Sequence, residues 1–211
     1  MLKPYCTLCN DQTDFFYESN QRHYYQCKNC SSIMLAPKHF ISLEEERKRY
    51  RKHNNCVDDP RYQKFVSPIA DEIKRDFTPE HTGLDFGAGP GPVITKLLQD
   101  AGYNIDLYDP FFWNRPEVLR LKYDYIACCE VIEHFNDPLK DFLLLQSLLK
   151  PGGVLYCMTE LYSDQVDFKN WHYKNDPTHV FFYHKDAFEW IKGNLHFHKL
   201  HISNRLIKLT M

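Results

Sequence analysis

The chain has 211 residues, a formal net charge of -2 at pH 7, and 43% hydrophobic and 26% charged residues, which is room for one large domain and a small appendage in a soluble globular protein. Its near-neutral balance excludes the global basic field of a nucleic-acid or membrane-surface binder, and no apolar run approaches the ~20 residues of a membrane span. The first residues, MLKPYCTLC, lack the apolar core of a signal peptide, so a cytoplasmic location is expected.

Four of the eight cysteines stand in the first 30 residues as two C-x2-C pairs, Cys6/Cys9 and Cys27/Cys30. Each pair aims two thiolates at one point, and two pairs complete a tetrahedron for zinc. Two disulfides or free thiols are the alternative, which the intracellular look of the chain disfavours. Between the pairs, 14–17 and 22–26 read as short strands about a polar turn. Residues 1–38 are therefore expected to be a zinc ribbon, with metal binding supplying much of its folding free energy. Cys128, Cys129 and Cys157 lie in apolar runs and read as packed core.

Residues 39–80 read as a helical linker or lid. Ser42 with Glu45 forms a capping-box pattern ahead of a charged helix over 44–53. Residues 54–60 break it. A second helix is predicted over 62–77 with Phe65, Ile69, Ile73 and Phe77 on one face, interrupted or bent at Pro68. Residues 81–211 then alternate strand and helix. Strands are predicted at 83–86, 105–108, 123–129 and 154–159, helices at 92–101, 138–149 and 185–195, and a terminal hairpin over 197–203 and 205–210.

The stretch LDFGAGPGPV puts Gly87, Gly89 and Gly91 between a strand and a helix, where loop amides and the helix N-terminus face a ligand at the strand's carboxyl end. The spacing G-x-G-x-G departs from the dinucleotide fingerprint. Asp85 ends the first strand near where a ligand's ammonium would sit. Asp109 closes the second strand, where a carboxylate can accept from both hydroxyls of a ribose.

Taken in order, LDFGAGPG, the acid of DLYD, DYIACCEVIEH and LLKPGGVLY resemble the motifs of class I S-adenosylmethionine-dependent methyltransferases. The resemblance implies a Rossmann-like α/β fold: a seven-stranded sheet with one antiparallel strand, helices on both faces, and the cofactor across the strand carboxyl ends. It implies that Gly87, Gly89 and Gly91 line the cofactor, Asp85 holds its amino group, Asp109 its ribose, and Glu130 lies beside it. Between Asp109 and Tyr123 the chain is too short for the family's helix and third strand, so that strand is expected to be missing or vestigial. Phe111, Phe112 and Trp113 either stack on the adenine or cover the sheet edge.

Methyl transfer needs a nucleophile held in line with the sulfonium carbon and, for a hydroxyl, a base. Glu130, Glu133 and His134 of EVIEH are candidate bases, and His172, His179 and His184 follow in WHYKNDPTHVFFYH. E-x-x-E-H with a downstream histidine resembles the ubiquinone-biosynthesis O-methyltransferases and the small-RNA 2'-O-methyltransferases. The latter resemblance implies Glu130, Glu133, His134 and His179 as ligands of a second divalent ion beside the acceptor hydroxyl. Against it stands a structural role, with Glu133 and His134 capping a helix or bonding a loop. Trp171, His172 and Tyr173 are a candidate floor for the acceptor pocket, with packing as the alternative.

The ribbon's charges nearly balance, and Arg47 to Lys52 follow three glutamates, so phosphate-driven RNA binding is weakly supported. A small-molecule acceptor is favoured, with the ribbon and its helices as lid or homodimer contact. RNA methylation is the runner-up. A non-catalytic binding module on the cofactor fold is the alternative of a different class.

Overall fold

In the computed structural model, which describes residues 3–52 and 56–211, the chain reverses at Asn20 and Gln21, both at positive φ (49° and 64°). That geometry suits a two-residue hairpin loop. It joins β1 (Thr13–Ser19) to β2 (Arg22–Cys27), paired from Thr13↔Cys27 to Ser19↔Arg22. A third strand, β3 (Ile33–Leu35), continues the sheet.

Helix α1 (Leu43–Tyr50) opens with the expected Ser42/Glu45 capping box and buries no residue. Its expected end at His53, and part of the break that follows, lie outside the described residues. Helix α2 (Pro60–Asp76) runs through Pro68. The carbonyl of Lys64, which Pro68 cannot serve, accepts instead from the Ser67 hydroxyl at 3.2 Å. The buried face is Val66, Ile69, Ala70 and Ile73, a rotation from the predicted stripe. Phe65 is 37% exposed.

The alternation then proceeds as β4 (Thr82–Phe86), α3 (Val93–Gln99), β5 (Asn104–Tyr108), β6 (Tyr123–Cys129), α4 (Pro138–Leu148), β7 (Leu149–Met158), β8 (Phe181–Phe182), α5 (Lys185–Asn194), β9 (Lys199–Ser203) and β10 (Leu206–Thr210). The main sheet has the order β5-β4-β6-β7-β10-β9. Strands β5, β4, β6 and β7 are parallel, and β10 is antiparallel to both neighbours. Among the described residues this sheet has six strands, where the family resemblance implied seven. From Asp109 to Tyr123 the chain forms only an isolated bridge, Asp109↔Trp113, and a single 3-10 turn, Val118–Arg120. The segment is too short to leave the sheet, cross it and return.

Period-two alternation sends β6 residues to opposite cores. Ile126 and Cys128 pack with Phe142, Phe188 and Ile191 on the α4/α5 face. Tyr125 and Ala127 pack with Ile69, Ile73 and Leu98 on the α2/α3 face. Cys128 and Cys157 are fully buried, and Cys129 partly so.

The cysteine-bearing strands do not stand apart. Strand β8 adds to β3, giving a four-stranded sheet β1-β2-β3-β8. One of its faces joins Cys6, Leu8, Tyr25 and Met34 to the α4/α5 core. The other packs Tyr24, Ile33 and Leu35 on Phe168, Tyr173 and Phe182. No helix among the described residues is long and apolar enough to cross a membrane.

Candidate active site

The glycine loop is stitched to the second strand by backbone. Gly87 and Ala88 donate to Tyr108 O at 2.8 and 3.2 Å, and Gly89 N–H donates to Asp109 Oδ2 at 3.0 Å. The other oxygen of Asp109 accepts from Phe111 and Phe112 N–H at 2.8 and 3.0 Å. Trp113 closes the ring by donating Nε1–H to Gly89 O at 2.8 Å. Gly87 and Gly89 have φ of +80° and +62°, and a Cβ on Gly87 would lie 2.4 Å from Val131 Cγ2.

Asp85 is 4% exposed, and its Oδ2 accepts from Thr95 N–H and Oγ1–H at 3.2 and 2.8 Å. Burial pushes its carboxyl up to about 6. An arriving cation would favour the charged form.

Asp85, Gly87, Gly89, Gly91 and Asp109 line a cavity of about 710 Å³. Phe111 and Phe112 line it too, whereas Trp113 serves as a brace. Glu130, His134 and His179 stand in the same cavity, with Leu43, Glu46 and Tyr50 of α1 at its wall. Among the described residues that line it, none is Lys or Arg, and five are carboxylates: Glu46, Asp85, Asp109, Glu130 and Asp141.

Of the predicted acid–histidine set, Glu133, His134 and His179 converge, each offering a ligand atom within 4.8 Å of the others. His134 Nδ1 lies 3.0 Å from Thr178 O, and His179 Nδ1 lies 2.7 Å from Tyr173 O. A carbonyl only accepts, so each Nδ1 carries the proton and each Nε2 is the basic nitrogen. Burial lowers the His134 pKa, which favours the neutral ring. Tyr50 meets the His134 ring edge-on at 5.3 Å between centroids.

Glu133 is 0% exposed. Burial pushes it up to about 7, against the opposing hydrogen bonds from Tyr173 and Thr159, whose hydroxyls sit 2.6 and 3.1 Å from its oxygens. Glu130 stands beside this group at φ +54°, ion-paired with Arg205 at 2.7 Å. Burial and the nearby Glu133 raise it to about 8, and Arg205 opposes the rise.

Of the two readings of Trp171, His172 and Tyr173, pocket floor or packing, the contacts do not give a floor. Neither Trp171 nor His172 lines the cavity. Trp171 donates to Glu160 at 3.0 Å, His172 lies near the same carboxylate, and Tyr173 sits behind Glu133. His184 instead accepts from Asp186 N–H and caps α5. Arg205, Thr159 and Tyr50 escaped the sequence reading, since nothing local marks a residue whose partner is distant in the chain.

At the N-terminus, Cys6, Cys9, Cys27 and Cys30 bring their sulfurs together. Cys6 and Cys30 are 3.7 Å apart, Cys9 and Cys27 3.3 Å, and all four are free thiols. Asn10 and Ser31, directly after each C-x2-C, take positive φ (56° and 57°). Asn29 and Cys30 N–H point at Cys27 Sγ at 3.4 Å, which stabilises a thiolate there. The donor set and its tetrad geometry fit zinc.

Residues 23–201 match the family model described as a methyltransferase domain. The chain belongs to that family. The ubiquinone biosynthesis O-methyltransferase of Actinobacillus pleuropneumoniae serotype 7 (strain AP76) is 35% identical over 82 residues, which is 37% of this chain and 35% of that protein. The chain thus matches about a third of the length of this curated relative. Among solved structures, a SAM-dependent methyltransferase from Archaeoglobus fulgidus superposes with a TM-score of 0.53 at 18% identity, covering 76% of each chain. Human N-acetylserotonin methyltransferase in complex with SAM superposes with a TM-score of 0.53 at 11% identity, covering 80% of this chain and 56% of that one. These two likenesses establish a shared α/β fold with a mixed sheet.

Proposed function

We propose that this methyltransferase-family chain transfers a methyl group from S-adenosylmethionine to a hydroxyl of a small acceptor that is uncharged or cationic. One observation carries the reading. The carboxylate–glycine-loop–carboxylate cleft and the residues His134 and His179, whose Nδ1 atoms are held by carbonyls, line one cavity. Lining carboxylates without Lys or Arg disfavour a phosphate-rich RNA acceptor.

Bound S-adenosylmethionine supplies a methyl carbon already activated by its sulfonium. Asp85 would accept from the amino group, and the one lone pair that the amides of Gly89, Phe111 and Phe112 leave on Asp109 would accept from a ribose hydroxyl. Phe111 and Phe112 offer faces to the adenine. His134 Nε2 takes the acceptor's proton, its ring held by the Thr178 carbonyl. Glu130, anchored by Arg205, borders the cofactor.

A second reading of the same residues is favoured by the convergence of Glu133, His134 and His179. Neutral imidazoles and a carboxylate suit a divalent ion, which would lower the acceptor hydroxyl's pKa. The ligand atoms would have to draw together slightly to hold it. Zinc in the cysteine tetrad is the structural metal of the proposal, and a reduced thiolate cluster suits the cytoplasm.

Calorimetry with S-adenosylmethionine and S-adenosylhomocysteine tests the cofactor assignment, and saturable binding of both is expected. Labelled-methyl transfer into a metabolite pool then identifies the acceptor. Absence of cofactor binding overturns the proposal and leaves the non-catalytic module.

A further inference from the structure

The two halves of the cavity hang from different sheets. Asp85 stands at the end of β4, and the glycine loop, Asp109 and Glu130 follow β4, β5 and β6 of the six-stranded sheet. His179 immediately precedes Val180 and β8, and β8 is the outer strand of the cysteine-bearing sheet. One residue, Val180, bridges the two halves. Val180 O accepts from Leu35 N–H at 2.8 Å, and Val180 N–H donates to Glu133 O at 2.9 Å. The ribbon strand is thus one residue's hydrogen bonds away from the turn that carries Glu133 and His134.

The contact begins at the second cysteine knuckle. Ser31 and Ser32 directly follow Cys30. Ser31 Oγ donates to Asp186 at 2.9 Å, and buried Ser32 Oγ accepts from His184 N–H at 3.0 Å. The carbonyl of Ser32 accepts from Cys27 N–H at 2.9 Å, so the same residue is bonded to a cysteine of the tetrad. On the far face, Ile33 and Leu35 pack in one cluster with Tyr173 and Phe182. Tyr173 supplies the carbonyl that orients His179 and the hydroxyl that donates to Glu133.

We propose that the filled cysteine tetrad positions Glu133, His134 and His179 through Ser32, Leu35 and Val180, and leaves the cofactor half to the main sheet. The ribbon is then neither an RNA grip nor a spacer. It is the second wall of the reaction site, and losing its metal switches off acceptor activation without releasing the cofactor. The catalytic consequence rests on the methyl-transfer reading. The geometric consequence does not.

The test is hydrogen exchange, resolved to single amides, on the full chain with its metal content measured, before and after stripping with 1,10-phenanthroline. Stripping should speed exchange at Leu35, Val180 and His184 by at least about tenfold. Ile126 and Leu155 should be unchanged, and the S-adenosylhomocysteine Kd should stay within about twofold. Ser32→Ala, which touches no ligand, should speed exchange at His184 and lower kcat at constant KM for S-adenosylmethionine. Unchanged protection at Val180 and His184 overturns the proposal, as does equal loss at Ile126 and Leu155, which would make the tetrad a support of the whole fold. A chain that purifies without metal yet protects these amides also overturns it. If the amides follow the metal but S-adenosylhomocysteine does not bind, the positioning stands and the methyl-transfer reading falls.

Discussion

Arg205, in the turn between β9 and β10, reaches across to Glu130, which follows β6, and pairs with it at 2.7 Å. The same guanidinium lies 4.8 Å from the Phe65 ring centroid, in a cation–π contact that explains why Phe65 faces the cavity rim. Glu130 Oε1 and Arg205 Nε are buried without a hydrogen-bond partner, so the pair is the main compensation for a costly carboxylate. Removing one partner of such a pair strands the other.

Arg205→Met should therefore destabilise the protein by about 2 kcal/mol, less than for a fully buried pair because both side chains keep some exposure. For a chain of this size that is a fall in Tm of about 6 °C. Glu130→Gln in the Arg205→Met background should restore most of it. A thermal double-mutant cycle checks this, and additive losses would show that the two side chains do not compensate each other.

Asp85 carries the clearest pH dependence. Its folded pKa of about 6 lies above the ordinary 3.8. Between those values the folded state binds more protons than the unfolded one, so stability of the cofactor-free protein falls as pH rises through that window and stays lower above it. A rise from 3.8 to about 6 corresponds to about 3 kcal/mol. Asp85→Asn keeps an acceptor for Thr95 and should raise cofactor-free stability at pH 7.5 while abolishing the stabilisation that S-adenosylhomocysteine gives. In the wild type, affinity for that ligand should drop as pH falls below about 6, because the ammonium then meets a neutral acid. Calorimetry at pH 5.5 and 7.5 measures it.

What the sequence disclosed and what it hid divide by distance along the chain. Asp85, the glycines and Asp109 were readable because strand, loop and helix are consecutive, and backbone alone brings them together. The cysteine spacing was readable for the same reason. The pairing of β3 with β8 was not, since it joins residues 33–34 to 181–182 through strands too short to show a period. Arg205 carries no signal of Glu130, its partner across the sheet. On α2 the predicted stripe of Phe65, Ile69, Ile73 and Phe77 is rotated to Val66, Ile69, Ala70 and Ile73, and Phe65 meets Arg205, a residue far along the chain that the local pattern does not register. The missing third strand was readable from length alone.

His134 and His179 allow the base to be separated from its scaffold. In His134→Asn the side-chain NH2 can still donate to Thr178 O, as Nδ1 now does, but the Nε2 lone pair is lost. Methyl transfer should fall by about 10²–10⁴, with Tm within about 3 °C and cofactor affinity unchanged. His179→Asn should behave alike if a divalent ion bridges the two rings, and transfer should then also be lost in a chelator too weak to strip thiolates and return with Mn²⁺ or Mg²⁺. Transfer that survives the chelator leaves the imidazole alone as the base.

Two glycines of the same backbone conformation isolate the effect of close approach. Gly87 and Gly102 have φ of +80° and +83°, but a Cβ at Gly87 would strike Val131, whereas at Gly102 it meets nothing within 4 Å. Gly102→Ala should cost about 1 kcal/mol, the strain of a left-handed residue alone. Gly87→Ala should cost that and a clash of about 1–3 kcal/mol more, and should displace the loop whose amides bond Tyr108. In the Gly87→Ala background, Val131→Ala should recover the clash component but not the strain. Chemical denaturation of the three variants measures the difference, and S-adenosylhomocysteine affinity should follow it at Gly87 only. Equal destabilisation at the two positions would mean that the first turn of the cleft is not held against Val131.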